Sequence, residues 1–224
     1  MNRNTLGIAS LLLALAMAAV SIAVGLPLPA DLQLPIHWDL SGQPDGWAGK
    51  WTGLLMPAGI TAALSLLFWF LPSLEPRGRN FLRSQGLYLW GWAAVLLIGI
   101  SIQIVVLSFA LGWGIPANHV IVASLGLMLL IIGNQLGKSR SMYLIGIRTP
   151  WTLASEEVWI KTHRLAGKLM VVAGIVALVA ALLPLPSGLL ATVLGGSIAV
   201  AALIPVVYSF LLWRREKMAG QSSE

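Results

Sequence analysis

The sequence predicts an all-α membrane protein, a polytopic bundle of six transmembrane helices with both termini in the cytoplasm. Of its 224 residues, 58% are hydrophobic and only 10% are charged, whereas a typical soluble domain carries about 25% charged residues. Six apolar runs are long enough to cross a bilayer, which takes about 18 residues or more. Lys and Arg collect in alternate loops, as the positive-inside rule requires of cytoplasmic loops.

The apolar runs are separated by short loops rich in Pro, Gly or charge. The first run is longer than the apolar region of a cleaved signal peptide, which covers about 7–15 residues, so we favour a retained helix over cleavage. No Asp, Glu, Lys or Arg lies well inside a predicted span, which weighs against an ion-coupled transporter. The predicted spans are about Thr5–Leu26, Trp51–Leu71, Leu87–Leu111, His119–Leu136, Leu165–Leu183 and Leu189–Trp213.

Charge asymmetry sets the predicted orientation. With the N-terminus inside, every Lys and Arg except Lys50 is cytoplasmic, and all three Asp residues are extracellular. We divide the chain into an N-terminal two-helix unit, residues 1–75, with a structured extracellular loop at about 28–50, and a four-helix region, residues 76–213. The four-helix region contains a cytoplasmic segment at 137–168, and residues 214–224 form a polar cytoplasmic tail.

Composition also limits the chemistry. The chain has no Cys, which excludes disulfides, thiol catalysis and Cys-ligated zinc. The net charge of +6 fits cytoplasmic loops, and no basic groove with interleaved aromatic residues indicates direct nucleic-acid binding. We expect no metal site and no cofactor, because a Glu and a His on one helix face do not complete a metal site.

The extracellular loop is expected to be structured, as a short hairpin on the membrane surface. Gln43-Pro-Asp-Gly46 has Pro and Gly where a tight turn needs them, and a second turn is predicted over Asp39-Leu-Ser-Gly42. Trp residues before and after this turn suit the headgroup layer. For His37-Trp38-Asp39 we favour turn-capping and interfacial roles over metal coordination.

The cytoplasmic segment carries an unusual density of polar and aromatic residues. Thr149-Pro150 and Ser155-Glu156-Glu157 are typical helix starts. A helix from Ser155 places Glu156, Trp159 and His163 on one face, and we expect this amphipathic helix to lie in the interface before turning into the fifth span. The alternative is a solvated connector whose Arg and Lys contact lipid phosphate.

Two motifs resemble a known family. Tyr143-x-x-Gly-Ile-Arg-Thr-Pro-Trp-Thr-Leu-x-Ser-Glu-Glu-Val-Trp-x-Lys-Thr-His-Arg-x-x-Gly-Lys168 resembles the signature of the SdpI family of bacterial membrane immunity proteins. Pro35-Ile-His-Trp-Asp-x-x-Gly-x-Pro-Asp-Gly46, followed by Lys50, resembles an associated N-terminal domain of unknown function.

The resemblance implies a multi-pass protein of the bacterial plasma membrane that is not an enzyme. It implies protection against a secreted toxic peptide and a receptor role in which a cytoplasmic repressor is held at the membrane, so the implied partners are the bilayer, an extracellular toxic peptide and that repressor. The implied binding residues are Tyr143, Gly146, Arg148, Thr149, Pro150, Trp151, Glu156, Glu157, Trp159, His163 and Arg164 inside, with His37, Trp38, Asp39, Gly42, Pro44, Asp45, Gly46 and Lys50 outside.

Two alternatives stay open. One is a membrane enzyme acting on lipid or prenyl phosphates, with Arg148, Arg164 and Lys168 holding phosphate and Glu156 or His163 as general acid or base. The other is a transporter of a small molecule or a peptide.

Overall fold

The computed structural model describes residues 2–39 and 43–221. Six of its helices are long and apolar enough to cross a membrane, which confirms the predicted multi-pass fold. These six are α1, α2, α4, α5, α7 and α8. The described elements are α1 Arg3–Gly25, β1 Gln33–Trp38, β2 Pro44–Gly49, α2 Lys50–Phe70, α3 Gly78–Arg83, α4 Gln85–Leu111, α5 Ala117–Leu136, α6 Pro150–Ala154, α7 Glu156–Leu182 and α8 Ser187–Gln221.

The spanning helices alternate in direction, so the bundle has two ends. The hairpin end contains β1, β2 and the turns after α4 and α7. The signature end contains the start of α1, the α2–α4 connection, and residues 137–168, which we term the signature segment. Every Lys and Arg except Lys50 lies at the signature end or in the helix turns next to it.

The structure corrects the expected path of the signature segment. No interfacial helix turns into the fifth span, because α7 runs unbroken from Glu156 to Leu182. Its 27 residues make a helix of roughly 40 Å, whereas the hydrocarbon core is about 30 Å thick. The first turns of α7 therefore extend past the apolar layer, and they are buried against protein instead of lying on lipid.

Two smaller corrections concern loops. The short loop expected between the second and third spans contains the short helix α3, preceded by a 3₁₀ turn at Leu71–Leu74. The last span was predicted to end near Trp213, but α8 continues without a break through Arg214 and Lys217 as far as Gln221. Within this extension the Lys217 ammonium lies 4.7 Å from the ring centroid of Trp213, one turn earlier on the same helix.

Glycine pairs allow α5 and α7 to pack backbone against backbone. A Cβ at Gly133 would lie 2.8 Å from the carbonyl oxygen of Gly167, and a Cβ at Gly126 would lie 3.0 Å from that of Gly174. The two pairs are seven residues, or about two helical turns, apart on each helix. Small residues at such crossings give membrane helices the close contact that drives their association.

The predicted hairpin is present, but the tight turn expected at Gln43–Gly46 is not, because Pro44–Gly46 form the start of β2. β1 and β2 pair antiparallel from Gln33–Gly49 to Trp38–Pro44, with irregular register between Pro35 and Trp38. Leu34 is buried against Leu54 of α2, which fixes the hairpin to the bundle. The division of the chain at residue 75 stays a prediction.

Candidate functional site

Glu75 anchors the signature segment to the connection between α2 and α3. Its carboxylate accepts hydrogen bonds from the backbone N–H groups of Tyr143 at 3.0 Å, Leu144 at 2.7 Å and Arg77 at 2.9 Å. The side chain is only 8% exposed. Hydrogen bonds to an ionised acceptor are stronger than neutral ones, so this carboxylate fixes the path of the loop.

Arg77 and Asn80 add contacts to the same loop. The Arg77 guanidinium donates to the hydroxyl of Ser141 and, at 3.2 Å, to the carbonyl of Leu153. Its Cζ atom also lies 4.7 Å from the centre of the Tyr143 ring. Asn80 Nδ2 donates to the Ser141 carbonyl at 2.8 Å. Residues from the connection between the second and third spans therefore hold the signature segment in place.

Trp159 and His163 form a buried aromatic pair at the start of α7. Their rings stack with centroids 3.9 Å apart, and neither residue is exposed. His163 Nε2 accepts a hydrogen bond from the Ile147 N–H at 2.8 Å, and Nδ1 lies 2.8 Å from the Trp159 carbonyl. Because a backbone N–H can only donate, the proton is on Nδ1 and the imidazole is neutral in this geometry.

Gly146 covers this aromatic pair. Its φ of +129° is one that L side chains rarely adopt. A Cβ there would lie 2.6 Å from His163 Nε2 and 2.7 Å from Trp159 Cη2. The residue therefore has to be glycine both for its backbone conformation and for the close approach of the loop to the rings.

The helix starts predicted within the signature segment are confirmed. Thr149 caps α6 by accepting from the N–H of Thr152, with Pro150 at the first helical position. Ser155 caps α7 by accepting from the N–H of Val158. Each cap supplies an acceptor to a first-turn N–H that has no partner within the helix.

Trp151 connects α6 to the last helix. Its indole N–H donates to the hydroxyl of Ser209 on α8. Its ring lies edge-on to Phe210, with centroids 5.4 Å apart. A second link joins Ser155 Oγ to Glu216 Oε1 at 3.3 Å. The signature segment is thus bonded to both the α2–α3 connection and α8.

The remaining predicted residues of the segment are exposed. Arg148 donates from Nη1 to the Tyr143 carbonyl at 2.5 Å, and both side chains face outward. Glu156 accepts from the Ser141 N–H at 3.3 Å. The other exposed charges are Glu157, which pairs with Lys161 at 2.5 Å, and Arg164.

The structure therefore divides the residues expected to share one working face. Trp159 and His163 are buried and hold the loop, whereas Glu156 on the preceding turn is exposed. The sequence interpretation missed Glu75, Arg77 and Asn80, which lie in the short loop it expected between the second and third spans. A signal was available, because Glu75 is the only acidic residue in that loop.

At the hairpin end, the predicted residues mostly stabilise the loop. His37 Nδ1 and Asp45 Oδ1 are 2.5 Å apart across the strands. Asp39 Oδ1 accepts from the Gln43 N–H at 2.8 Å. Lys50, 6% exposed, donates to the Leu28 carbonyl at 2.7 Å, which ties the preceding turn to the start of α2.

The other hairpin residues set its geometry. Pro44 begins β2, and a Cβ at Gly46 would lie 2.9 Å from that of His37. Trp38 packs against Phe109 of α4, with ring centroids 5.9 Å apart. Gly42 and the turn predicted around it lie outside the described residues. Across residues 2–39 and 43–221, no three His, Asp or Glu side chains cluster closely enough to hold a metal ion.

Comparison with known proteins bears directly on the signature segment. Residues 138–209 match the SdpI/YfhL protein family, and residues 12–62 match a domain of unknown function, DUF1648. The SdpI-family resemblance is confirmed. The SdpI match begins at the α5–α6 loop and ends on α8 at Ser209, the hydroxyl that accepts from Trp151.

The chain is also similar to the immunity protein SdpI of Bacillus subtilis (strain 168). The two are 26% identical over 136 residues, which cover 59% of this chain and 66% of that protein. No solved structure matches the chain. The match to the SdpI family model and the six spanning helices together support a multi-pass bacterial membrane protein.

Proposed function

We propose that this SdpI-family protein is an immunity protein or receptor that protects its cell against a secreted toxic peptide. The observation that carries the proposal is its similarity to the Bacillus immunity protein SdpI. In this proposal the hairpin end faces the outside and meets the peptide. The signature end faces the cytoplasm, where it holds a repressor at the membrane.

Two helices support communication between the ends. α4 contacts the hairpin through Phe109, and its other end contributes Tyr88 and Trp92 to the cluster that contains Trp159. α8 contacts Trp151 through Ser209 and Phe210 at the signature end. A peptide could change the signature end only by binding two arrangements of these helices with different affinity.

The cytoplasmic partner would meet an exposed, charged surface. Arg148, Glu156, Glu157 and Arg164 face outward on a segment whose backbone is fixed by buried contacts. Binding residues on a rigid support lose little entropy when a partner binds. We therefore assign partner contact to these exposed residues and support of the loop to Gly146, Trp159 and His163.

Survival under toxin challenge tests the proposal. The chain is expressed in a sensitive Gram-positive strain, which is exposed to the toxic peptide of the Bacillus strain that carries the related immunity protein. We expect wild type to protect, Arg148→Ala to protect less, and Arg215→Ala, an exposed change on α8, to match wild type. Membrane levels are equalised by immunoblot. Failure of wild-type protein at full level to protect would contradict the proposal.

The structure gives little support to the enzyme alternative. Both ring nitrogens of His163 are hydrogen-bonded within the protein, and Glu156 accepts from a backbone N–H. Arg164 and Lys168 line an open groove of about 510 Å³ beside α5, but Arg148 is not among its lining residues. The groups expected to hold phosphate and to transfer protons therefore do not meet at one place.

A further inference from the structure

A groove of about 510 Å³ runs along the α5–α7 crossing at the signature end. Its floor is made of glycine, because the two helices approach each other closely at Gly133, Gly137 and Gly167. Its sides carry one cation just past the end of α5 and two on successive turns of α7, with Asn134 beside them. These three exposed cations are Lys138, Arg164 and Lys168.

The positive charge of this groove is not neutralised by the protein. The groove lining contains no Asp or Glu. Glu157, the nearest acid along α7, is paired with Lys161 at 2.5 Å, and Glu156 lies 4.0 Å from Arg140. Within residues 2–39 and 43–221, none of the three cations has an ion-pair partner. A concave site with charges of one sign attracts ligands of the opposite sign.

The depth of the groove places the cations where the hydrocarbon core meets the headgroups. α5 has 20 residues and is therefore about 30 Å long, which equals the thickness of the hydrocarbon core. Gly133, three residues before the end of α5, packs against Gly167, so Lys168 lies roughly 5 Å inside that end. Arg164 lies beside Gly137, just beyond the end. Long cationic side chains at this depth extend their charge toward the lipid phosphates.

Below the cations the groove becomes apolar. Val171 and Val172 continue its wall toward the middle of the bilayer, about one turn beyond Lys168. Val172 is 57% exposed, although it lies within a membrane-spanning helix. A molecule that fits both parts has a negatively charged head and an apolar tail. Inorganic phosphate fits only the upper part, and an acidic peptide from the aqueous side would leave the valines uncovered.

We propose that this groove binds an anionic phospholipid of the leaflet at the signature end. Lys138 and Lys168 hold its phosphate, and Val171 and Val172 contact an acyl chain. Basic pockets between membrane helices bind lipid headgroups in this way. A zwitterionic headgroup fits less well, because its own ammonium would lie next to the cations without an acid to pair with it.

This lipid site goes beyond the proposed immunity function, since it requires neither a toxic peptide nor a repressor. Arg164, at the rim of the groove, also belongs to the exposed surface assigned to the cytoplasmic partner. The tests therefore change Lys138 and Lys168 and leave Arg164 as it is.

Mass spectrometry of the intact protein in detergent, which counts bound lipids, tests the charge requirement. Phosphatidylglycerol is titrated onto full-length wild type and onto Lys138→Gln/Lys168→Gln, and phosphatidylcholine onto wild type. Each Lys or Arg near a membrane strengthens attraction to anionic lipid by a factor of about five, so we expect the affinity of the double variant to fall about 30-fold. Arg214→Gln/Arg215→Gln, which removes two exposed charges of α8 outside the groove, is the control and should bind as wild type does. Equal affinity of the two double variants, or of the two lipids, would overturn the proposal.

Cross-linking locates the lipid on wild-type protein, so its result does not depend on how well a variant folds. The protein is placed in phosphatidylcholine nanodiscs with a trace of phosphatidylglycerol whose acyl chain carries a photoactivatable group near the headgroup. We expect illumination to attach this lipid to a peptide that contains residues 164–172, and unlabelled phosphatidylglycerol in the disc to abolish the adduct. Adducts spread evenly over the six spans, or absent from this peptide, would contradict the site.

Two competitors separate a lipid from other anions. Inorganic phosphate and a polyglutamate peptide are each added to the cross-linking experiment at constant ionic strength, so that screening does not change. We expect neither to reduce the adduct. Loss of the adduct with phosphate would identify a simple anion site, and loss with polyglutamate would identify a surface for an acidic protein segment. Either loss would overturn the assignment to a lipid.

Discussion

At the scale of single residues, Gly146 is required for two reasons: its backbone conformation and its close packing against the rings of Trp159 and His163. Replacing it with Ala forces a side chain into a φ of +129° and against the His163 ring. Backbone strain of this kind costs roughly 1–3 kcal/mol, so we expect Gly146→Ala to lower the unfolding temperature in detergent. Gly78→Ala on α3, where a Cβ meets nothing within 4 Å, is the control. Equal unfolding temperatures for the two variants would contradict the role of Gly146.

Glu75 is a second residue whose role is testable by a small change. Glu75→Gln keeps the shape of the side chain but replaces its carboxylate with an amide. The carboxylate accepts hydrogen bonds from three backbone N–H groups. The lost or mismatched bonds should cost about 1–3 kcal/mol and increase protease cleavage within 138–149. Glu157→Gln, at an exposed i,i+4 pair, is the control and should leave both measurements unchanged. A Glu75→Gln variant that resists protease as well as wild type does would show that the Glu75 carboxylate is not needed to hold this loop.

At the scale of elements, the α5–α7 crossing depends on glycine. A Cβ at Gly167 would lie 2.6 Å from the Gly133 carbonyl oxygen, so Gly167→Leu must push the helices apart. We expect a lower yield of monodisperse protein in detergent and a lower unfolding temperature, since forced overpacking costs about 1–3 kcal/mol. Gly195→Leu on α8, where a Cβ has open space, should behave like wild type. Wild-type behaviour of Gly167→Leu would mean that the close crossing does not stabilise the bundle.

The continuity of α7 changes how the signature segment works. Val158, Trp159, Thr162 and His163 are all buried, and Trp159 clusters with Met142 of the 137–149 loop, so one face of its first two turns is covered by protein. Because α7 is one continuous helix, a displacement of one of its ends would also displace the other end. An interfacial helix joined by a turn would not have that property.

At the scale of the molecule, orientation is the prediction with the widest consequence. The hairpin end has a single Lys, Lys50, whereas the other Lys and Arg residues lie at or next to the signature end. By the positive-inside rule, this difference predicts that the hairpin is extracellular. In intact cells a membrane-impermeant maleimide should label Gly49→Cys, and it should label Gly78→Cys only after permeabilisation. The reverse pattern would invert the bundle and would remove the proposed peptide site from the outside.

Much of the fold was predictable from sequence because the bilayer imposes strong, simple constraints. Apolar run length gave six spans, and Pro and Ser caps gave the starts of α6 and α7. The hairpin was also predicted, although the tight turn expected at Gln43–Gly46 was wrong, because Pro44–Gly46 pair with β1 as the start of β2. The site was predicted less well: its residues at 143–164 were named, but periodicity alone did not reveal that Trp159 and His163 are buried while Arg148 is exposed.

The sequence by itself determined the membrane fold, the number of spans and the two segments that carry polar residues, because apolar length, charge and turn chemistry act locally along the chain. Only the tertiary structure decided which of those residues face solvent, that Glu75 and Arg77 hold the signature segment, and that three cations line one groove beside the α5–α7 crossing. These depend on contacts between separate elements, such as Ile147 with His163, 16 positions apart, and Glu75 with Leu144, 69 positions apart, which no local pattern specifies.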